Sequence, residues 1–145
     1  MNQEHYDKLS RMYLNANINQ CIFTSTTCTI QKGKATIGLD ISKDYHHTLG
    51  AVHGSVYFKL LDDAAFFAAS SLVQDVFILT TAFHINLLRP VSHGPLIAKG
   101  SSKFSSEKLL IAESHLYNAD GKEIAFGTGH FTKSSTALSE TIGYA

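Results

Sequence analysis

The sequence predicts an α+β fold in which one curved antiparallel β-sheet wraps around a long central α-helix. Residues 55–73 are apolar on nearly every side of a helix, so this helix must be buried over most of its surface. Segments in which apolar and polar residues alternate precede and follow it, as in strands with one buried face. A chain of 145 residues with 44% hydrophobic and 17% charged residues suits one packed domain, predicted to span residues 1–145.

One helix and two strands are predicted before the central helix. Residues 4–16 carry apolar side chains at helical spacing, which predicts a short amphipathic N-terminal helix. Residues 19–31 are rich in Thr, Ile, Phe and Cys, a composition that favours a strand. Residues 34–41 alternate strictly and predict a half-buried strand, with Gly33 in the turn between the two strands.

A loop and four strands complete the predicted order. Residues 44–54 have no periodicity and contain three histidines and two glycines, so they are predicted to form a loop leading into the central helix. Residues 118–122 form a strong hairpin-turn signal between the last two strands. The final residues, from about 134, are expected to form a loose tail. The four strands are predicted at residues 77–88, 97–104, 109–117 and 123–132.

Composition excludes several classes of function. Twelve basic and twelve acidic residues cancel, and no run of like charges occurs, which argues against a nucleic-acid partner. No secretory signal or stretch long enough to cross a membrane is present, so a cytoplasmic protein with no membrane partner is expected. Cys21 and Cys28 fit no disulfide or zinc-ligand pattern, and no metal site is predicted.

Three segments resemble the phenylacetate-degradation (PaaI-like) type of the hot-dog-fold thioesterase superfamily. LGAVHGSVYFKLLDDAAFFA is similar to the family's His-Gly-Gly segment, which is followed by a helix with a Leu-x-Asp motif. TTAFHINLLRPVSHGPLIAKG is similar to the family's strand that ends at a proline, and EKLLIAESHLYNADGKEIAFGTGHF to its closing hairpin. The resemblance covers residues 34–133 and implies a hot-dog fold.

This resemblance implies hydrolysis of acyl-coenzyme A thioesters at sites formed between two subunits. It implies no metal and no cofactor, since coenzyme A is part of the substrate, and a homo-oligomer that is a dimer or a dimer of dimers. Asp62 matches the catalytic carboxylate, which acts as general base or as nucleophile. The Gly54 amide, at the start of the helix, would polarise the thioester carbonyl, and Thr80 occupies the position of a hydroxyl that holds the attacking water.

The neighbouring Asp63 leaves the choice of carboxylate open on helix geometry alone. Consecutive helical residues point about 100° apart, so the two carboxylates cannot act as one dyad. Lys59 is four residues before Asp63 and three before Asp62, and either aspartate can pair with it. We expect Asp63 to form the salt bridge because Asp62 has the family spacing.

The sequence departs from the family pattern at two positions. Ser55 replaces the second glycine and is expected to tolerate, or to cap, the helix start. His47 stands where the family has asparagine, and it can hold water, act as a base or lie on the surface. His53 and Ser55 are expected to contact substrate, although His53 also fits a purely structural role in the loop.

Basic residues near predicted strand ends are candidates for binding the phosphates of coenzyme A. Arg89 and Lys108 are the two candidates, and the alternative is that they form part of an ordinary solvated surface. Two other functions also fit the sequence. One is hydration or dehydration of an enoyl thioester by Asp62 with His47 or His53, and the other is a non-catalytic module that binds acyl-coenzyme A.

Overall fold

The computed structural model describes residues 2–145 as one six-stranded antiparallel sheet with three α-helices. The strands are ordered β1-β2-β4-β5-β6-β3, so β1 and β3 form the two edges. The predicted α+β class, a long helix in a curved sheet preceded by a short N-terminal helix, is confirmed. In chain order the elements are α1 (Gln3–Leu14), α2 (Asn17–Cys21), β1 (Thr27–Gln31), β2 (Lys34–Asp40), α3 (Gly54–Ser70), β3 (Val76–Leu87), β4 (Pro95–Ser105), β5 (Leu110–Tyr117) and β6 (Glu123–Ala137), with 3₁₀ turns at Lys43–Tyr45 and Glu140–Ile142.

Small residues bring α3 unusually close to the sheet. Ala64, Ala65 and Ala68 are completely buried. A Cβ atom added to Gly100 of β4 would lie 2.1 Å from the carbonyl oxygen of Ala64, so no larger residue fits there. The hydroxyl of Ser114, on β5, donates to the carbonyl oxygen of Leu61 over 2.7 Å. The helix is therefore fixed in rotation relative to the sheet, which decides where each of its side chains points.

A β-bulge in β3 changes which side chains face α3. The register with β6 shifts between Thr80 and Ala82, so Thr81 is an extra residue in the strand. Before the bulge Ile78 and Thr80 face the helix, and after it Phe83 does, in edge contact with Phe58 of α3. The alternation of apolar and polar residues along 77–88, continued without interruption, predicts Leu79 and Phe83 on one face, and this prediction is wrong because the bulge reverses the two faces.

The predicted strand at residues 19–31 is also wrong in its first half. Residues 17–21 form the short helix α2, and only Thr27–Gln31 form a strand. The side-chain oxygen of Asn19, on α2, accepts a hydrogen bond from the ammonium of Lys59 on α3 over 2.9 Å. Tertiary contacts of this kind override the weak strand preference of Thr, Ile and Cys. Both cysteines are free, Cys21 on this helix and Cys28 on β1.

The residues after 133 do not form a loose tail. Strand β6 continues to Ala137, which pairs with Val76 of β3. Residues beyond it fold back, and the main-chain N–H of Leu138 donates to the carbonyl oxygen of Asp75 over 3.0 Å. The prediction failed because this segment has little periodicity of its own and is ordered by contacts with residues distant in sequence. The central helix ends at Ser70, three residues before the predicted end.

Candidate active site

Asp62 is the carboxylate of α3 that faces a cavity. One of its oxygens accepts a hydrogen bond from the hydroxyl of Thr80, 2.9 Å away on β3. Burial raises the pKa of Asp62 from 3.8 to about 6; the Thr80 hydrogen bond lowers it, Asp63 raises it and Lys59 lowers it. The side chain therefore remains ionisable near neutral pH in a partly desolvated position. The sequence-predicted pair Asp62 and Thr80 is thus brought together.

Asp63 lies in a different environment, although it is the next residue. It accepts hydrogen bonds from the Lys59 ammonium over 2.7 Å and from the Tyr13 hydroxyl over 2.6 Å. The predicted salt bridge between Lys59 and Asp63 is confirmed, and both side chains are less than one-fifth exposed. These hydrogen bonds attach Asp63 to the N-terminal helix α1, so its role is structural.

Two members of this network were not identified from sequence. The Lys59 ammonium also donates to the hydroxyl of Tyr13 over 3.1 Å and to the side-chain oxygen of Asn19 over 2.9 Å. Burial, followed by the charge of Asp63, raises the pKa of Tyr13, which stays neutral and donates. The helical spacing of residues 4–16 indicated that Tyr13 is buried, but no pattern in the sequence links it to α3.

The start of α3 is capped by His53. Its Nδ1 atom accepts from the main-chain N–H of Ser55 over 3.0 Å and is 2.7 Å from the Ser55 hydroxyl. The side chain that caps the helix is therefore His53, whereas Ser55 was considered for that role. Within residues 2–145, the Gly54 N–H has no hydrogen-bond acceptor, as expected for a first-turn amide.

His47 and Arg89 lie beside Gly54 at a small cavity of about 280 Å³. The Nδ1 atom of His47 accepts from the main-chain N–H of Leu49 over 3.1 Å, so the neutral ring carries its proton on Nε2. The hydroxyl of Tyr57, on α3, donates to the main-chain oxygen of Arg89 over 2.7 Å. This contact, which sequence reasoning missed, holds the segment after β3 against the start of the helix.

Lys108 is exposed and far from Arg89. It lies in the β4–β5 connection, two residues before Leu110. Leu110 pairs with Phe131 of β6, which in turn pairs with Thr80 of β3. Arg89 follows the other end of β3, where its main-chain N–H bonds to Ile124. About seven residues of strand, from Ile124 to Phe131 in β6, or about 23 Å, separate the two levels. One chain therefore does not present Arg89 and Lys108 to the same phosphate.

The cavity that Asp62 faces has a volume of about 1060 Å³. Ser55, Lys59, Asp63 and Thr80 share its lining with Asp62, whereas His47, His53 and Gly54 do not. The three α3 phenylalanines Phe58, Phe66 and Phe67 all contribute to the walls. One chain thus keeps the Asp62 carboxylate, in a large apolar cavity, apart from the free Gly54 amide, at a smaller cavity beside the helix start.

Among residues 2–145, no group of three or more His, Cys, Asp or Glu side chains is arranged to hold a metal ion. None of the helices in that range combines the length and the apolar character needed to cross a bilayer.

Comparison with known sequences places the chain in a family. Residues 49–125, more than half of the 145-residue chain, match the family model of the thioesterase superfamily. A protein of Saccharolobus solfataricus that is provisionally named an esterase is 24% identical over 93 residues. That alignment covers 64% of this chain and 66% of the relative, just under two thirds of its length.

Solved structures share the architecture at low sequence identity. The Escherichia coli PaaI protein, from the phenylacetic acid degradation operon, superposes with a TM-score of 0.83 at 18% identity, covering 94% of this chain and 97% of that chain. A thioesterase family protein from Silicibacter pomeroyi gives a TM-score of 0.77 at 21% identity, covering 87% and 95%. The architecture described above is therefore the hot-dog fold. Since the family model matches more than half of the sequence, this chain belongs to the thioesterase superfamily.

Proposed function

We propose that this protein hydrolyses acyl-coenzyme A thioesters to the free acid and coenzyme A, with Asp62 as the catalytic carboxylate. The observation that supports this most directly is the position of Asp62 in the large cavity, where Thr80 is its hydrogen-bond donor. A partly desolvated carboxylate whose pKa is raised to about 6 is still mostly ionised at pH 7, and it is a stronger base than an exposed aspartate.

The chemistry requires only water and the side chains present. In the general-base form, Asp62 takes a proton from water as the water oxygen attacks the thioester carbonyl carbon. The carbon–sulfur bond then breaks, and the thiolate leaves and is protonated. In the nucleophilic form, a carboxylate oxygen attacks the same carbon, the carbon–sulfur bond breaks and the thiolate leaves, and water then hydrolyses the resulting anhydride to the free acid and the Asp62 carboxylate. Thr80 holds Asp62 in place in both forms.

The Gly54 N–H is the proposed donor to the thioester oxygen. It is a free amide in the first turn of α3, where the helix dipole favours developing negative charge. His47 lines the same small cavity, and its Nε2–H is the proposed second donor in place of the family's asparagine. His53 and Ser55 hold each other at this turn and are proposed to shape the substrate's entry.

The geometry favours a site shared by two copies of the chain. Gly54 and Asp62 are eight residues apart on one helix, which is about 12 Å along its axis. A carbonyl bonded to Gly54 would lie out of reach of the same chain's Asp62, since reacting atoms must come within about 3–3.5 Å. Strand β3, which carries Thr80, is an edge strand available to pair with a second copy. We therefore propose a homodimer, which can pair again into a tetramer.

The phosphates of coenzyme A are proposed to bind Arg89, which lines the small cavity with Gly54. Because Lys108 lies at the other end of the sheet, its proposed contact with the substrate requires the second copy of the chain.

Release of free thiol from a panel of acyl-coenzyme A substrates tests the proposal. We expect Asp62→Asn to lower kcat by about 10²- to 10⁴-fold while the fold is retained, because the variant removes the base or nucleophile. Asp63→Asn is the matched control and should keep kcat within about tenfold of wild type. Equal activity of Asp62→Asn and wild type would contradict the assignment.

The same assay separates the other two functions. An enoyl hydratase would change the absorbance of an enoyl thioester without releasing thiol. A binding module would bind acyl-coenzyme A and release nothing. The hydratase would need His47 or His53 of the second copy beside Asp62, just as the hydrolase needs Gly54 of the second copy, so it is the assay that separates the two functions.

A further inference from the structure

The C-terminal segment, residues 138–145, is tied to the N-terminal helix through a buried histidine. His5 of α1 is only 5% exposed, and its Nδ1 atom is 2.7 Å from the hydroxyl of Tyr144. Its Nε2 atom is 3.1 Å from the main-chain oxygen of Ser70, at the end of α3. A carbonyl only accepts, so Nε2 carries the proton, and the neutral ring's Nδ1 accepts from Tyr144. His5 thus joins α1, α3 and the C-terminal segment.

Further contacts reinforce this attachment. The rings of His5 and Tyr144 meet edge to face at 5.7 Å, and the ammonium of Lys8 lies 5.4 Å from the centre of the Tyr144 ring. Arg11 donates from Nε to the main-chain oxygen of Ala145 over 2.8 Å. The segment is therefore held in one position on the surface of α1.

That position makes the segment a wall of the cavity that Asp62 faces. Thr141, Ile142 and Gly143 line the cavity, and Ile142 also packs against the core. This wall comes from the chain's own two ends. It follows directly on β6, whose Ala137 pairs with Val76 at the start of β3, so it lies at that end of the cavity.

The remaining walls are mostly apolar and aromatic. The charged side chains in the lining are Lys59, Asp62 and Asp63, and Lys59 and Asp63 pair with each other. Asp62 is therefore the charged lining group without an ionic partner. The large apolar side chains come from α1, the segment after it, α3 and β3, and five of them are phenylalanines: Phe23, Phe58, Phe66, Phe67 and Phe77.

The volume of the cavity in one chain sets an upper limit on the size of its occupant, because the proposed second copy contributes to the same site. At about 1060 Å³ it is slightly above the range of about 300–1,000 Å³ found for pockets that take drug-sized ligands. An acetyl group would leave most of the apolar wall uncovered. A phenylacetyl group would also fill only a small part of it.

We propose that this cavity takes the acyl chain of a medium- to long-chain thioester, and that Ile142, held in place by His5 and Tyr144, sets the chain length that fits. The inference rests on the proposed function, because the scissile carbonyl must lie at the Asp62 end of the cavity. The acyl chain of the substrate then runs from Asp62, past the α3 phenylalanines, toward the C-terminal segment.

Steady-state kinetics with acetyl-, hexanoyl-, decanoyl-, hexadecanoyl- and phenylacetyl-coenzyme A test this. We expect kcat/KM to rise with chain length by up to about fourfold for each methylene buried, until the cavity is full. Decanoyl-coenzyme A should exceed both the acetyl and the phenylacetyl substrates. A flat or falling profile would overturn the inference.

Substitutions at Ile142 should move the preferred length in opposite directions. Ile142→Trp should lower kcat/KM for the longest accepted chain by about tenfold or more, and leave acetyl-coenzyme A within about twofold. Ile142→Ala should extend the preference to longer chains. Glu140→Trp is the matched control, since it adds the same ring to an exposed position of the same segment and should change nothing. An equal loss for every substrate in Ile142→Trp would overturn the role of Ile142.

Removing only the Tyr144 hydroxyl tests the attachment. Tyr144→Phe keeps the ring but loses the hydrogen bond to His5. We expect the ratio of decanoyl to hexadecanoyl activity to fall, because the wall is less firmly held. An unchanged ratio would show that Tyr144 does not position Ile142.

Displacement of a fluorescent fatty acid by unlabelled acids of the same chain lengths separates this inference from the proposed function. If no thioester is hydrolysed but displacement depends on chain length and on Ile142, the hydrolase proposal fails and the cavity inference stands. If thioesters are hydrolysed but neither assay depends on length or on Ile142, the hydrolase proposal stands and the cavity inference fails.

Discussion

Asp62 and Asp63 are adjacent in the chain, yet they belong to two different regions of the molecule. Asp63 faces the N-terminal helices and is bonded to Lys59 and Tyr13. Asp62 faces the cavity beside β3 and has Thr80 as its one hydrogen-bond donor in the described residues. Burial raises the pKa of Asp62 to about 6, whereas Asp63 has a full cationic partner.

The difference shows that the partners of a carboxylate, and not its burial alone, decide what it can do. An ion-paired carboxylate with two strong donors is a poor base, because proton transfer would break its network. A carboxylate with one neutral donor in an apolar cavity keeps its basicity. We therefore expect stability to depend mainly on the Asp63 region and the proposed chemistry to depend on the Asp62 region.

The largest stability effect is expected in the Asp63 region. Asp63→Asn removes the ionic partner of Lys59, which is only 11% exposed, and should lower the free energy of unfolding by about 3 kcal/mol. Chemical denaturation at pH 7 measures this. Asp62→Asn, analysed in parallel, should not be destabilised, and equal losses in the two variants would remove the distinction between the regions.

A smaller effect is expected from the pH dependence of stability in the Asp62 region. The pKa of Asp62 is raised from 3.8 to about 6 in the folded protein, so the native state favours the protonated form. Below about pH 4, Asp62 is protonated in both states and does not lower the free energy of unfolding of the wild type. As the pH rises to about 6, the free energy of unfolding falls because the unfolded state ionises more readily. At pH 7, Asp62→Asn should be more stable than wild type by about 2 kcal/mol, after allowance for partial solvent exposure.

Unfolding of both proteins between pH 4 and pH 8 measures this difference. The gain of Asp62→Asn should vanish toward the acidic end of the range. A gain that stays constant across the range would show that the carboxyl group is not desolvated.

The smallest effect is expected at Thr80. Thr80→Val keeps the shape but removes the hydrogen bond that favours ionised Asp62, and should lower kcat/KM by about tenfold at pH 7. Because that bond lowers the pKa of Asp62, its loss should move the midpoint of the pH–rate profile above about 6. Thr80→Ser is the control that keeps the hydroxyl. A downward shift of the midpoint would show that Thr80 does not support the charged form.

Much of the site was predictable because it lies on one periodic helix and its loop. The spacing of Gly54, Lys59, Asp62 and Asp63 follows from local sequence, and helix geometry alone shows that the two carboxylates cannot act together. Helix geometry left the choice between them open and the family spacing assigned the salt bridge to Asp63, whereas the contact of Asp63 with Tyr13, 50 residues away in the chain, is seen only in the tertiary structure. The separation of Arg89 from Lys108 likewise depends on strand register, which no local pattern reports.

The sequence by itself determined the α+β class, the long buried helix and the order of the elements along the chain, because hydrophobic periodicity is a local property of the sequence. Only the tertiary structure decided the bulge at Thr81, the helix at residues 17–21 and the ordered C-terminal segment. Each of these depends on contacts between distant residues, such as Thr80 with Asp62 and His5 with Tyr144. Contacts of that kind exist only once the sheet has closed around the helix.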